Sequence, residues 1–280
     1  MGALTLGLIA ALCWGVHDTL VRYISQQVGV FPSLFPVLVT GCIMSAGLAL
    51  ALDTTGITAQ ARGLAVLSGI VFGITGLSFY KALSIGPVRL VAPVVASFPI
   101  LSVGWAVTNG QGVSLWQWAA VLIIVGGCGV VAVTSEDADS TGRSRTSAVL
   151  WSILAAIGFA TSFALGQQSM AAGTEMMAIA TARVGAVAVV GGLALILRQS
   201  VIPARSALPI LIVMGVLDAI AIGAIMLAGS FAFPYFASVA ASTFGVFTII
   251  LAAVFLKEAV TGVQWLGIVV VFSAIGYLAI

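Results

Sequence analysis

Gly47-Leu48-Ala49-Leu50-Ala51-Leu52 returns 145 residues later as Gly192-Leu193-Ala194-Leu195-Ile196-Leu197. Other residues recur at nearly the same offset. Gln117-Trp118 returns as Gln264-Trp265, Gly69 falls on Gly215, Ser84 on Ser230, and Gly129 on Gly276. A recurrence that spans most of the chain is the mark of a duplication. The chain therefore divides into a first repeat at 1–134, a polar connection at 135–146 and a second repeat at 147–280.

The composition says what is repeated. Of the 280 residues, 61% are hydrophobic and 6% are charged, and the mean hydropathy is +1.25. That charge cannot cover the surface of a water-soluble globule. Disordered chains are polar and charged, so disorder is excluded. The net charge of +2 is scattered, which excludes nucleic acid as a partner. Cys13, Cys42 and Cys128 all lie in apolar runs, so neither a disulfide framework nor a metal site is expected.

A spanning helix needs about 20 mostly apolar residues. Breaks at charges, Pro and Gly-rich turns predict ten spans, at 3–25, 33–52, 61–83, 87–108, 115–134, 147–170, 174–197, 206–230, 232–254 and 262–280. The runs are continuous and about twice the length of membrane β-strands, which excludes a barrel. The fold class is thus an all-α polytopic membrane protein. Five spans per half send the second half into the membrane from the opposite side, giving two inverted-topology five-helix repeats. The first run lacks a basic leader and reads as span 1, not as a signal peptide. The connections are short; the longest, Ser135 to Thr146, carries Glu136, Asp137, Asp139, Arg143 and Arg145.

The chain is similar to the drug/metabolite transporter superfamily, and in particular to its ten-helix EamA-type members, over essentially its whole length. The residues that carry the resemblance are Trp14-Gly15, Tyr80-Lys81-Ala82-Leu83, Pro99, Arg183 and Lys257-Glu258 followed by Gln264-Trp265. The first half departs from the pattern. Asn109-Gly110-Gln111 stands where the family usually has a Gly-Glu pair, and Leu38 stands where a second Arg is expected. The resemblance implies a carrier in a bacterial inner membrane, acting mainly as an exporter. It also implies a substrate cavity lined by spans 3, 4, 8 and 9.

Ionisable groups inside a membrane are costly and mark candidate sites. Span 1 carries His17, Asp18 and Arg22; Asp18 and Arg22 are four apart and share a face. His17 has the side chain best suited to proton coupling. Asp218 sits near the middle of span 8 and Arg183 near the middle of span 7. Two readings are open for them: a substrate-ammonium or proton site, or a structural ion pair. Tyr80, Lys81 and Arg89 lie where spans 3 and 4 meet. Such cations either snorkel to headgroups or receive an anionic group. Ser97, Gln167, Ser238 and Ser242 add hydrogen-bonding groups, and Phe72, Phe79, Trp105 and Tyr235 are candidate apolar lining. Pro93 and Pro99 would free carbonyls within span 4.

No GxxxxGK[ST] loop, HExxH or aspartate-rich pair is present, so neither ATP-driven transport nor an enzyme is expected, and no cofactor is implied. The expected function is a secondary transporter, proton-coupled or exchanging, for a small polar or amphipathic metabolite. An amino acid leads, because buried groups of both signs suit a zwitterion; a lipophilic cation is the alternative, because Asp218 suits it. The expected partners are that small molecule and the bilayer. Orientation is open. Arg22, Lys81, Arg89, Arg143, Arg145, Arg198, Arg205 and Lys257 flank one side, against Arg62 on the other. The positive-inside rule places both termini away from the cytoplasm, whereas the resemblance implies the reverse. Labelling of a cysteine at Ser140 by an impermeant reagent decides between them.

Overall fold

The computed structural model describes residues 1–280 apart from 53–55, 87–90, 92–93, 134–141, 173–174, 256–260 and 279–280; at 22–23, 25–27, 131–133, 142–145, 248–249 and 252–255 it describes the backbone alone. Among the described residues all regular structure is helical. The helices are α1 (Gly2–Val28), α2 (Val30–Ala51), α3 (Ala59–Ile85), α4 (Phe98–Thr108), α5 (Leu115–Val133), α6 (Gly142–Ala171), α7 (Glu175–Ile196), α8 (Leu208–Leu227), α9 (Tyr235–Ala241), α10 (Phe244–Phe255) and α11 (Gly262–Leu278).

Six described helical segments are long and apolar enough to cross a membrane: Gly2–Val21, Val30–Ala51, Ala59–Ile85, Thr146–Ala171, Glu175–Ile196 and Arg205–Ser230. Four shorter apolar segments, Phe98–Thr108, Leu115–Val130, Tyr235–Phe247 and Gly262–Leu278, accompany them. Large apolar side chains such as Leu50, Leu195, Trp116 and Leu266 face outward, as they do on a surface solvated by hydrocarbon.

The recurring Gln-Trp pair has a structural cause. At the start of α5, Ser114 N–H donates to Gln117 Oε1 at 2.9 Å and Gln117 N–H donates to Ser114 Oγ at 3.2 Å. At the start of α11, Thr261 N–H donates to Gln264 Oε1 at 2.8 Å and Gln264 N–H to Thr261 Oγ1 at 3.3 Å. Both are capping boxes, which satisfy otherwise orphaned helix N–H groups.

Helix α3 packs against α6 and α7, and α8 packs against α1 and α2. Two glycines permit this. A Cβ on Gly69 of α3 would collide with the Ala182 carbonyl of α7, and one on Gly215 of α8 would lie 2.7 Å from the Val37 carbonyl of α2. Small residues let helix backbones meet at such distances. Helices α5 and α11 pack on each other, α9 and α10 lie on α1, and α4 contacts α6 and α9.

Two expectations need correction. The segment expected to be one helix at 232–254 is interrupted at Ser242-Thr243, between α9 and α10. The segment expected at 87–108 is interrupted at Ala96-Ser97. Hydroxyls take up carbonyls near both interruptions: Ser97 Oγ donates to Val94 O at 2.7 Å, Ser242 Oγ to Val239 O at 2.8 Å and Thr243 Oγ1 to Ala240 O at 2.7 Å. Irregular backbone at membrane depth needs this kind of satisfaction. Pro99 consequently sits in the first turn of α4, where its missing N–H costs nothing, and does not kink a continuous helix; Pro93 lies outside the described residues. Helix α6 begins at Gly142. Arg143 and Arg145 extend the helix rather than a loop, as helix-compatible residues beyond an apolar run can.

Candidate functional site

Near the middle of the bundle, three helices each bring a polar side chain to one place. Asp218 of α8 is buried; Trp14 of α1 donates its indole N–H to Asp218 Oδ1 at 3.1 Å. Arg183 of α7 donates from Nη1 to Asp218 Oδ2 at 2.5 Å and from Nη2 to the Asp218 backbone carbonyl at 2.6 Å. Arg183 is 1% exposed; its two terminal nitrogens are bonded to Asp218, whereas its Nε has no partner among the described residues. The ring of Phe72 lies 5.5 Å from its guanidinium carbon, within the range of a cation–π contact. The arginine fork is suited to this arrangement, since its two nitrogens reach two acceptors at once.

A second relay adjoins it. His17 Nδ1 is 2.8 Å from Asp18 Oδ1, and His17 Nε2 is 3.1 Å from the Tyr80 hydroxyl of α3. Both ring nitrogens are thus engaged, one by a carboxylate and one by a phenol. An imidazole so placed can pass a proton between its partners with little movement.

These groups open on a cavity of about 40 Å³ lined by Trp14, His17, Asp18, Tyr80, Asp218, Phe72, Phe79, Phe98, Phe159 and Phe244, with Leu34, Val37 and Gly76. That volume holds roughly one water molecule, far below the several hundred Å³ of a small-molecule site. Aromatic rings wall the cavity: Trp14 stacks on Phe163 with centroids 5.6 Å apart, and Phe98 meets Phe163 edge-on at 5.5 Å. Phe159 touches Trp14, Phe72, Phe79, Phe98 and Phe163.

A transporter family model covers the chain twice, at residues 1–133 and 146–280, as the EamA-like transporter family. The chain belongs to the EamA-like transporter family. It is a multi-pass membrane protein. A solved crystal structure matches this EamA-like chain with a TM-score of 0.80 at 16% identity, covering 99% of this chain and 96% of the other. That likeness establishes the fold alone. No curated protein matches in sequence.

The remaining predicted residues of this EamA-like transporter are placed as follows. Lys81 is exposed and does not line the cavity, unlike its neighbour Tyr80. The Arg22 side chain and Arg89 lie outside the described residues. Ser97 is half-buried and its hydroxyl donates to Val94 O before the interruption; Ser242 is fully buried and donates to Val239 O of α9. Gln167 is buried; its amide donates to Ile225 O at 3.2 Å and Pro234 O at 3.0 Å, tying α6 to α8 and to the start of α9. Ser238 is buried, and its hydroxyl has no partner among the described residues. Phe72 and Phe79 line the cavity, whereas Trp105, half-exposed on α4, does not. Sequence reading passed over Phe98, Phe159 and Phe163. In helices that are apolar all round, no periodicity separates an inward ring from a lipid-facing one.

Proposed function

We propose that the protein is a secondary active transporter that exports a small polar or amphipathic metabolite, with an amino acid as the leading substrate class, by alternating access. The observation that carries this reading is the meeting of Trp14, His17, Asp18, Tyr80 and Asp218 in an aromatic-walled cavity between the helices of both family-matched halves, with Arg183, outside the lining, bonded to Asp218. Buried ionisable groups that serve only stability are poor value compared with apolar packing. A cavity that gathers them suits a ligand with charges of its own.

The inverted ten-helix repeat is part of the proposal. It is supported by the capping boxes at the starts of α5 and α11, by the paired interruptions, and by the way α3 on α6 and α7 mirrors α8 on α1 and α2. In such a scaffold, one half rocks against the other about a central site. A zwitterion brings its own counter-charge, so its ammonium can share Asp218 or Asp18 and its carboxylate can share Arg183 without leaving a net charge in hydrocarbon. The His17 relay supplies the coupling proton. Protonation then shifts the balance between inward- and outward-open forms.

A lipophilic cation is the second reading, favoured by the aromatic walls and the two carboxylates. Counterflow in proteoliposomes separates the readings. Labelled amino acids, a nucleobase and tetraphenylphosphonium are offered in parallel. Amino-acid uptake competed by the unlabelled form supports the first reading; uptake of the cation alone replaces it. Chemical change of the substrate would remove the transporter assignment.

A further inference from the structure

A second, larger cavity of about 340 Å³ lies between α4, α6 and the start of α9. It is separate from the ion-pair cavity. Along α4, Phe98 faces the first cavity and Ser102, one turn later, the second. Along α6, Phe159 faces the first and Gln167 the second, and Phe163 packs between them against Trp14 and Phe98. A layer of aromatic rings therefore divides the two.

The lining of the larger chamber has an unusual chemistry. Ser102, Tyr235 and Ser238 all face it, and they are 5%, 4% and 1% exposed. Among the described residues none of their hydroxyls has a hydrogen-bond partner. Buried hydroxyls are normally paired, because leaving one unpaired forfeits its hydration. Of the five buried side-chain polar atoms without a partner among the described residues, these three share one chamber. Gln168, Asn109 and Gln111 contribute amides to the same wall, as does Gln167, whose NH2 already donates to Ile225 O and Pro234 O, and among the described residues no carboxylate, imidazole or cationic side chain lines it.

We propose that this chamber is a binding site for an uncharged, hydrogen-bonding group of the transported molecule, a hydroxyl or carboxamide. The proposal rests on the transporter reading above. Hydroxyls and amides can each donate and accept, so they match a neutral polar group of either sense. They offer nothing to a lone charge that water would not offer better. A site built to bond a hydroxyl discriminates strongly against the analogue that lacks it. The ion-pair cavity then handles the charged groups, and the aromatic layer parts for the substrate to pass.

The test uses isosteric pairs of equal charge. The full chain in proteoliposomes is assayed for counterflow of threonine against valine, and of glutamine against methionine. The expected result is a preference of about fivefold or more for threonine over valine, the worth of one net hydrogen bond. The triple variant S102A/Y235F/S238A is expected to bring that ratio close to one, with its thermal midpoint unchanged or raised. The stability readout matters, because apolar replacement of a merely orphaned hydroxyl also spares the fold but leaves the ratio alone. Each single variant is expected to narrow the ratio, and the singles decide if the triple variant fails to fold. Transport of all four amino acids without preference, or a preference that survives the three changes, overturns the chamber and leaves the transporter reading intact. Failure of the wild type to carry any of the four overturns the amino-acid reading and the chamber's assignment with it.

Discussion

Arg183 grips Asp218 at two points, the carboxylate Oδ2 and the residue's own backbone carbonyl. The second bond does not depend on the charge of the carboxylate. Arg183 therefore stays attached to α8 when Asp218 is neutralised, and the pair can exchange partners without α7 and α8 separating.

Asp218→Asn keeps that backbone bond but leaves the guanidinium without its counter-charge. Breaking a buried pair from one side costs about 3–5 kcal/mol, so a clear drop in the thermal midpoint of the purified protein is expected, together with loss of transport. The double variant Arg183→Met/Asp218→Leu removes both charges. It is expected to recover most of the stability and none of the transport. A stable, fully active double variant would make the pair dispensable.

His17 joins Asp18 to Tyr80, so its removal should disconnect the proton from the substrate. For His17→Gln, uptake driven by an imposed pH gradient is expected to fall at least about tenfold, while counterflow without a gradient continues. The two assays on one preparation check this. Normal gradient-driven uptake would take His17 out of the coupling scheme.

Gly69 and Gly215 admit no side chain at their helix crossings. Gly69→Val and Gly215→Val are each expected to lower stability by about 1–3 kcal/mol through overpacking. Gly63→Ala is the control. No atom lies within 4 Å of a Cβ built there, and a helix-interior Gly→Ala change is worth about 0.5–1 kcal/mol of stabilisation. Thermal denaturation in detergent gives all three values.

Ser114→Ala and Thr261→Ala each open one capping box. Each is expected to cost about 1 kcal/mol, with similar effects in the two halves. A large difference between them would argue against equivalent roles for α5 and α11.

Much of the fold is legible in the residues. Runs of about twenty apolar residues leave the backbone no partner but itself, so Val30–Ala51, Ala59–Ile85 and Glu175–Ile196 follow directly from hydropathy. The interruptions at Ala96-Ser97 and Ser242-Thr243 were not legible in the same way. Ser and Thr occur at many other places in these helices, and only neighbouring contacts select the two at which the helix breaks. Of the site, Asp218, Arg183, His17 and Asp18 stood out because charge in hydrocarbon is rare. Trp14 stood out only through the family resemblance: it is one of six tryptophans, and nothing local marks it as the donor to a carboxylate 204 residues away.

The sequence by itself determined the helical class, the approximate limits of the apolar segments, the recurrence between halves and the short roster of buried charges. Each of these is a property of one segment and its solvent. Tertiary structure decided which charges meet, which rings wall the cavity, and that Ser102, Tyr235 and Ser238 share a chamber. Helices that are apolar on every side carry no stripe to set their rotation. Their facing sides are chosen by close backbone approach at residues such as Gly69 and Gly215, and by pairing of buried polar groups, which only the packed assembly specifies.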